Sequence, residues 1–187
     1  MKKRIFMALL AAVATFAMTS CGDDDKKDDP KPGVSTKASF GQESNSVWVV
    51  VPLDEEDLKD MPEGSASQKS VWKWNSNNEV TEFTATVTCD NKELAQALYN
   101  QALADKDNPE EVEMGKIDRV TINGCTVTAI YEIPEGYSKM DAVVEAKMFA
   151  ILCDIKGVEY TPEEEAYMKE QMGGFDFDDD TWGDDDM

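Results

Sequence analysis

The chain of 187 residues contains no histidine. That absence removes the side chain most often used as a general base near neutral pH, and it excludes both a Cys-His nucleophile and a Cys-His metal site. Positive charge is also scarce, with 18 Lys plus Arg against 39 Asp plus Glu and a formal net charge of −21. A field of that sign opposes phosphate backbones, so no nucleic-acid partner is expected. The chain has no GxSxG, P-loop or GxGxxG sequence and no CxxC pair. With nothing to choose among 39 acids, no catalytic residue, cofactor site or metal site is assigned. The one long apolar run, Ile5 to Met18, falls short of the roughly 20 residues that span a bilayer.

What the first residues do contain is an address. Lys2, Lys3 and Arg4 precede the apolar run, and Met18-Thr19-Ser20-Cys21 closes it. This is the three-part arrangement of a cleavable export signal. The closing segment resembles the box of bacterial lipoproteins cut by the lipoprotein signal peptidase. The resemblance implies that residues 1–20 are removed and that Cys21 becomes the acylated first residue, a stable membrane anchor once more than one chain is attached. Gly22-Asp23-Asp24-Asp25 is similar to the short acidic tag with which certain Gram-negative bacteria send lipoproteins to the cell surface. The implied location is the outer membrane, lipid-anchored and surface-exposed.

Residues 21–46 are rich in Asp, Lys, Pro, Ser and Gly. They have too little apolar surface to offset the entropy of ordering them, and they read as an acidic tether. Residues 47–172 read as a single domain, and residues 173–187 as an acidic, aromatic, disordered tail beginning at Gly173-Gly174. Within the domain, Ile117 to Ile133 predicts a hairpin, with Asn123-Gly124 as its two-residue turn, Ile122 facing Cys125 and Val120 facing Val127. Glu82 to Cys89 alternates apolar with polar residues and predicts a further strand, with Val71–Trp74 before the turn Asn75–Asn78 as its partner. Val47 to Val51 is a candidate strand ended by Pro52.

Three helices are expected. Asp90 or Asn91 caps one running through Leu94, Leu98 and Ala102. Ser138 with Asp141 forms a near capping box for a second, through Val144 and Met148 to Ile155. Thr161-Pro162-Glu163-Glu164 opens a third, with Pro at the first helical position. The fold class is therefore α+β, expected as tandem ββα units forming a four-stranded antiparallel sheet with helices on one face.

Candidate binding residues are aromatic. Trp72 and Trp74 share one face of their strand and are either core or presented together to a protein or glycan partner. Phe175, Phe177 and Trp182 alternate with acids in the tail and suit docking on a basic, apolar groove. The calcium-loop pattern is tested by Asp176, Asp178 and Asp180, which have Thr181 where Gly is needed, and by Asp105 and Asp107, followed by Pro109; neither fits. Cys89, Cys125 and Cys153 are open to one bridge or to serving as buried thiols. The functional expectation is a surface-anchored binding or scaffold module. The alternatives are a small glycan-directed hydrolase using two carboxylates and a subunit of a larger surface assembly with an unpaired edge strand near residues 47–51.

Overall fold

The computed structural model describes residues 33–107 and 115–172. The signal, Cys21, most of the tether and the tail with Phe175, Phe177 and Trp182 lie outside the described residues. The elements in chain order are β1 (Ser39–Gln42), β2 (Ser46–Pro52), β3 (Ala66–Trp74), β4 (Val80–Cys89), α1 (Lys92–Asp107), β5 (Ile117–Asn123), β6 (Thr126–Tyr131), α2 (Lys139–Leu152) and α3 (Pro162–Met172). The strands form one antiparallel sheet in the order β1-β2-β3-β4-β6-β5.

The α+β class holds, but the sheet has six strands where four were expected, and four of them precede the first helix. The two added strands are β2, the candidate at Val47–Val51, and β1, and β3 is longer than expected. β1 lies inside the span read as tether, because Ser39-Phe40-Gly41-Gln42 shows no alternation of large side chains. Its glycine is required from outside: a Cβ on Gly41 would fall 2.3 Å from Trp48 Cζ2, so the Trp48 indole lies directly on the β1 backbone. β3 starts at Ala66 rather than Val71, and its added half is polar. Gln68 and Ser70 point into the core side and satisfy each other through Gln68 Nε2 donating to Ser70 Oγ at 3.2 Å.

The β5–β6 hairpin enters the sheet through its second strand, so β6 separates β4 from β5. β4 and β5 therefore run parallel, and α1 makes the crossover between them. The hairpin loop is Gly124-Cys125 rather than Asn123-Gly124. Asn123 pairs with Thr126 and Ile122 with Val127, while Gly124 alone in the turn takes a positive φ of 66°. That is the glycine-first loop rather than the one needing positive φ twice. Every partner is displaced by two residues from the expected pairing, so Val120, Ile122 and Val127 keep the inner face.

That inner face carries Val47, Val49 and Val51 of β2, Phe83, Ala85, Val87 and Cys89 of β4, and Val127, Ala129 and Tyr131 of β6. α1 covers the β4–β6–β5 half with Leu94, Leu98 and Ala102, and α2 covers the β1–β3 half with Ala142, Val143, Ala146 and Ala150. Leu94 and Leu98 are fully buried, each worth about 1.5–3 kcal/mol. The helix starts match their expected caps. Asn91 Oδ1 accepts from Leu94 N at 2.8 Å, Ser138 and Asp141 form a reciprocal capping box, and Thr161 Oγ1 accepts from Glu164 N at 3.3 Å.

Trp72 and Trp74 are 2 % and 5 % exposed. They belong to the core and are not presented as a binding surface. Trp72 pairs across the ladder with Phe83, and Phe83 with Tyr131. The three rings stack at centroid separations of 4.6 and 4.8 Å. Cys89 and Cys153 are free thiols. Burial, and secondarily the neighbouring Asp90, pushes the Cys89 thiol up to about 12, so it behaves as a small apolar side chain.

Candidate functional site

Among the described residues, both long helices cover one face and no helix covers the other, although Ser67 and Thr126 on that second face are buried. Strand register fixes what it displays. One transverse row runs Gly41, Trp48, Val71, Thr84, Ile130, Arg119 across all six strands. The next runs Ser39, Val50, Lys69, Thr86, Thr128, Thr121. Trp48, Val50, Val71 and Ile130 are half-buried, whereas Lys69, Arg119 and Thr121 are exposed. With strands about 4.8 Å apart, the six-stranded width is roughly 24 Å.

Trp48 is the organising side chain of this face. It lies flat because Gly41 beneath it has no Cβ, and the Lys69 ammonium stands 5.2 Å from the ring centroid. Such a contact contributes about 0.5–1 kcal/mol at an exposed site. The chain enters across the same face, where Ser35 N donates to Ser67 Oγ at 2.9 Å. The sequence held one signal for this residue: if Val47, Val49 and Val51 face inward, Trp48 must face out.

A second cluster sits where α2 begins. Tyr137, in the segment before the helix, donates its hydroxyl to Glu145, one turn beyond Asp141. Asp141 accepts from Ser138 N at 2.7 Å, from Ser138 Oγ at 2.6 Å, and from the Tyr167 hydroxyl of α3. The segment is held by Val80 N donating to Tyr137 O at 3.1 Å and Lys139 N donating to Asn78 O at 2.8 Å, which ties it to the β3–β4 turn. Burial, and then the negative charge of Asp141, push the Glu145 carboxyl up to about 7 against the opposing hydrogen bond from Tyr137. Burial and Glu145 together raise the Tyr137 hydroxyl well above its ordinary value.

The Glu145 shift has a stability consequence. A carboxyl whose folded value is raised binds protons more tightly in the folded state, so its contribution is complete below about 4.5 and is lost as pH rises through about 7. We expect the unfolding free energy of the wild type to fall by about 3 kcal/mol across that window relative to the Glu145→Gln variant. Paired urea titrations from pH 4.5 to 8 measure this, and parallel profiles for the two proteins would refute it.

Among the described residues no group of three or more His, Cys, Asp or Glu side chains is placed to hold a metal ion, and no helix is long and apolar enough to cross a membrane. β2, which contains residues 47–51, is an interior strand paired on both sides, so the edge strand expected there is instead β1, with β5 at the far side. The chain matches no protein-family model, no curated protein and no solved structure.

Proposed function

We propose that the protein is a lipoprotein anchored through Cys21 at the outer-membrane surface, whose domain acts as a binding or scaffold module through its open sheet face. The observation that carries the binding half is that the described helices cover only one sheet face, so the row through Trp48, Val71 and Ile130 on the other face is half-buried rather than core. The anchoring half rests on Met18-Thr19-Ser20-Cys21 and the acidic residues after it. In this arrangement the acidic surface maintains solubility and the open face supplies contact.

A benzophenone amino acid placed at position 71 or at position 96, an exposed site on α1, tests both halves in intact cells. Photo-adducts are expected from position 71, not from position 96, and not after Cys21→Ala. Equal adducts from both positions would sink the sheet face as the working surface, and adducts that survive Cys21→Ala would sink the anchor.

One observation favours a second reading, a glycan-directed hydrolase. Glu145 keeps its proton to about 7 beside Asp141, the asymmetry of an acid and a carboxylate that glycoside cleavage uses. Against it, both carboxyls are already engaged by Tyr137, Ser138 and Tyr167. This reading requires a turnover that disappears in Glu145→Gln.

A further inference from the structure

Resting on the sheet face as the binding surface, we infer that its ligand is an anionic polysaccharide, stacked on Trp48 with its acidic groups beside Lys69. Three observations converge. First, the indole is laid flat against Gly41, so one ring face is fixed to the sheet by a contact that any larger residue at position 41 would displace. The Lys69 ammonium lies over the ring at 5.2 Å from its centroid, so a pyranose stacks there by taking the ammonium's place while Lys69 turns to the sugar's acidic group; the pre-oriented ring itself loses little conformational entropy on binding.

Second, the charge of this face runs against that of the molecule. The chain carries a formal net charge of −21, yet the strand positions outside the core hold Lys69, Lys73 and Arg119 against two acids, Glu82 and the bulge residue Asp118. Glu82 is paired with Lys73, and the rim acid Glu132 is paired with Lys116. No carboxylate pairs with Lys69 or Arg119 among the described residues. An anionic chain is therefore drawn to this face while the rest of the surface repels it, which restricts where it lands.

Third, threonine hydroxyls line the Lys69 row and one stands between Val71 and Ile130 in the Trp48 row. Thr86 and Thr121 stand in the Lys69 row and Thr84 in the Trp48 row. Hydroxyls both donate and accept, the capacity sugar hydroxyls need. An acidic peptide would use the cations but would leave the flat ring and the threonines unmatched.

The test is affinity electrophoresis and calorimetry of the full-length protein with polygalacturonate, dextran sulfate and neutral dextran, and with poly-glutamate as the peptide alternative. Binding to an acidic polysaccharide, weakened by raising salt from about 50 to 500 mM, is the expected result. Polygalacturonate alone would assign carboxylate groups, and dextran sulfate as well would assign anionic sugars in general. Trp48→Ala should raise Kd about tenfold or more and Lys69→Gln about fivefold, with Trp48→Tyr retaining most of the affinity. Urea midpoints of the variants show that each is folded, and Lys69→Gln reports independently if Trp48→Ala is not. Equal binding of neutral dextran, equal binding of poly-glutamate, or unchanged affinity in both variants would overturn the inference. Binding of no polymer would also overturn it. Position-71 adducts in cells would then show that the open face still works with a different ligand.

Discussion

Glu164→Ala is expected to lower the unfolding free energy by about 3–5 kcal/mol, because it strands a buried ammonium. Lys147 Nζ lies 2.7 Å from Glu164 Oε2, both side chains are about nine-tenths buried, and the ammonium's other contact is the Glu159 carbonyl at 2.9 Å. Glu164 does a second job, accepting from Thr161 N at 2.7 Å at the start of α3. Burial on its own would raise the Glu164 carboxyl, but the hydrogen bonds from Lys147 and Thr161 and the Lys147 charge outweigh it and hold the group below its ordinary value. A depressed carboxylate contributes stability that is present above its unfolded value and lost as pH falls through the folded one. Glu164 and Glu145 thus act in opposite directions, one weakening the fold toward acid and the other toward neutrality. Urea midpoints for Glu164→Ala, Lys147→Met and the double variant Lys147→Met/Glu164→Leu measure the pair. The double variant is expected to be more stable than either single one, and simple addition of the two losses would contradict a paired role.

Phe83→Ala should cost about 3–5 kcal/mol, because it removes the middle ring of three and leaves a cavity in the core. Phe83 is 5 % exposed and stacks on Trp72 with an interplanar angle of 13° and on Tyr131 with one of 28°. Each aromatic pair adds about 0.5–1.5 kcal/mol beyond its buried area, so Phe83→Leu should retain part of the packing but not the stacking. Near-ultraviolet circular dichroism, dominated here by the clustered rings, should collapse in Phe83→Ala at temperatures where the far-ultraviolet signal persists. An unchanged near-ultraviolet spectrum would show that the stack does not order its neighbours.

The elements legible in the sequence are those whose signals are local. Ser138 with Asp141, Thr161 with Pro162, and the alternation of Phe83, Ala85, Val87 and Cys89 each declare themselves within a few residues, and the structure places caps and strand there. β1 was illegible because the reason for Gly41 is the Trp48 ring seven residues away, and composition alone makes a Ser-Gly-Gln segment look unordered. The first half of β3 hid for a related reason: Gln68 and Ser70 are polar by type and buried by position, made compatible only by their mutual hydrogen bond. The candidate site divides the same way. The outward parity of Trp48 followed from its valine neighbours. The reversed placement of the β5–β6 hairpin, which brings Arg119 and Ile130 into the Trp48 row, is a matter of strand order that no local pattern encodes.

The position of β1 has a mechanical consequence. Among the described residues, a pull arriving from the N-terminal side meets the Ser35–Ser67 hydrogen bond and then a four-residue edge strand, whose Ser39 end pairs with Val50 at the open end of its hairpin. Tension applied there peels the ladder one rung at a time, so resistance is set by single rungs rather than by the ladder as a whole. The first thing to yield under drag would be β1, leaving the helix-covered core of β2 to β6 intact and a newly bare β2 edge beside Trp48. A fold hung by this end carries a mechanical fuse next to its open face.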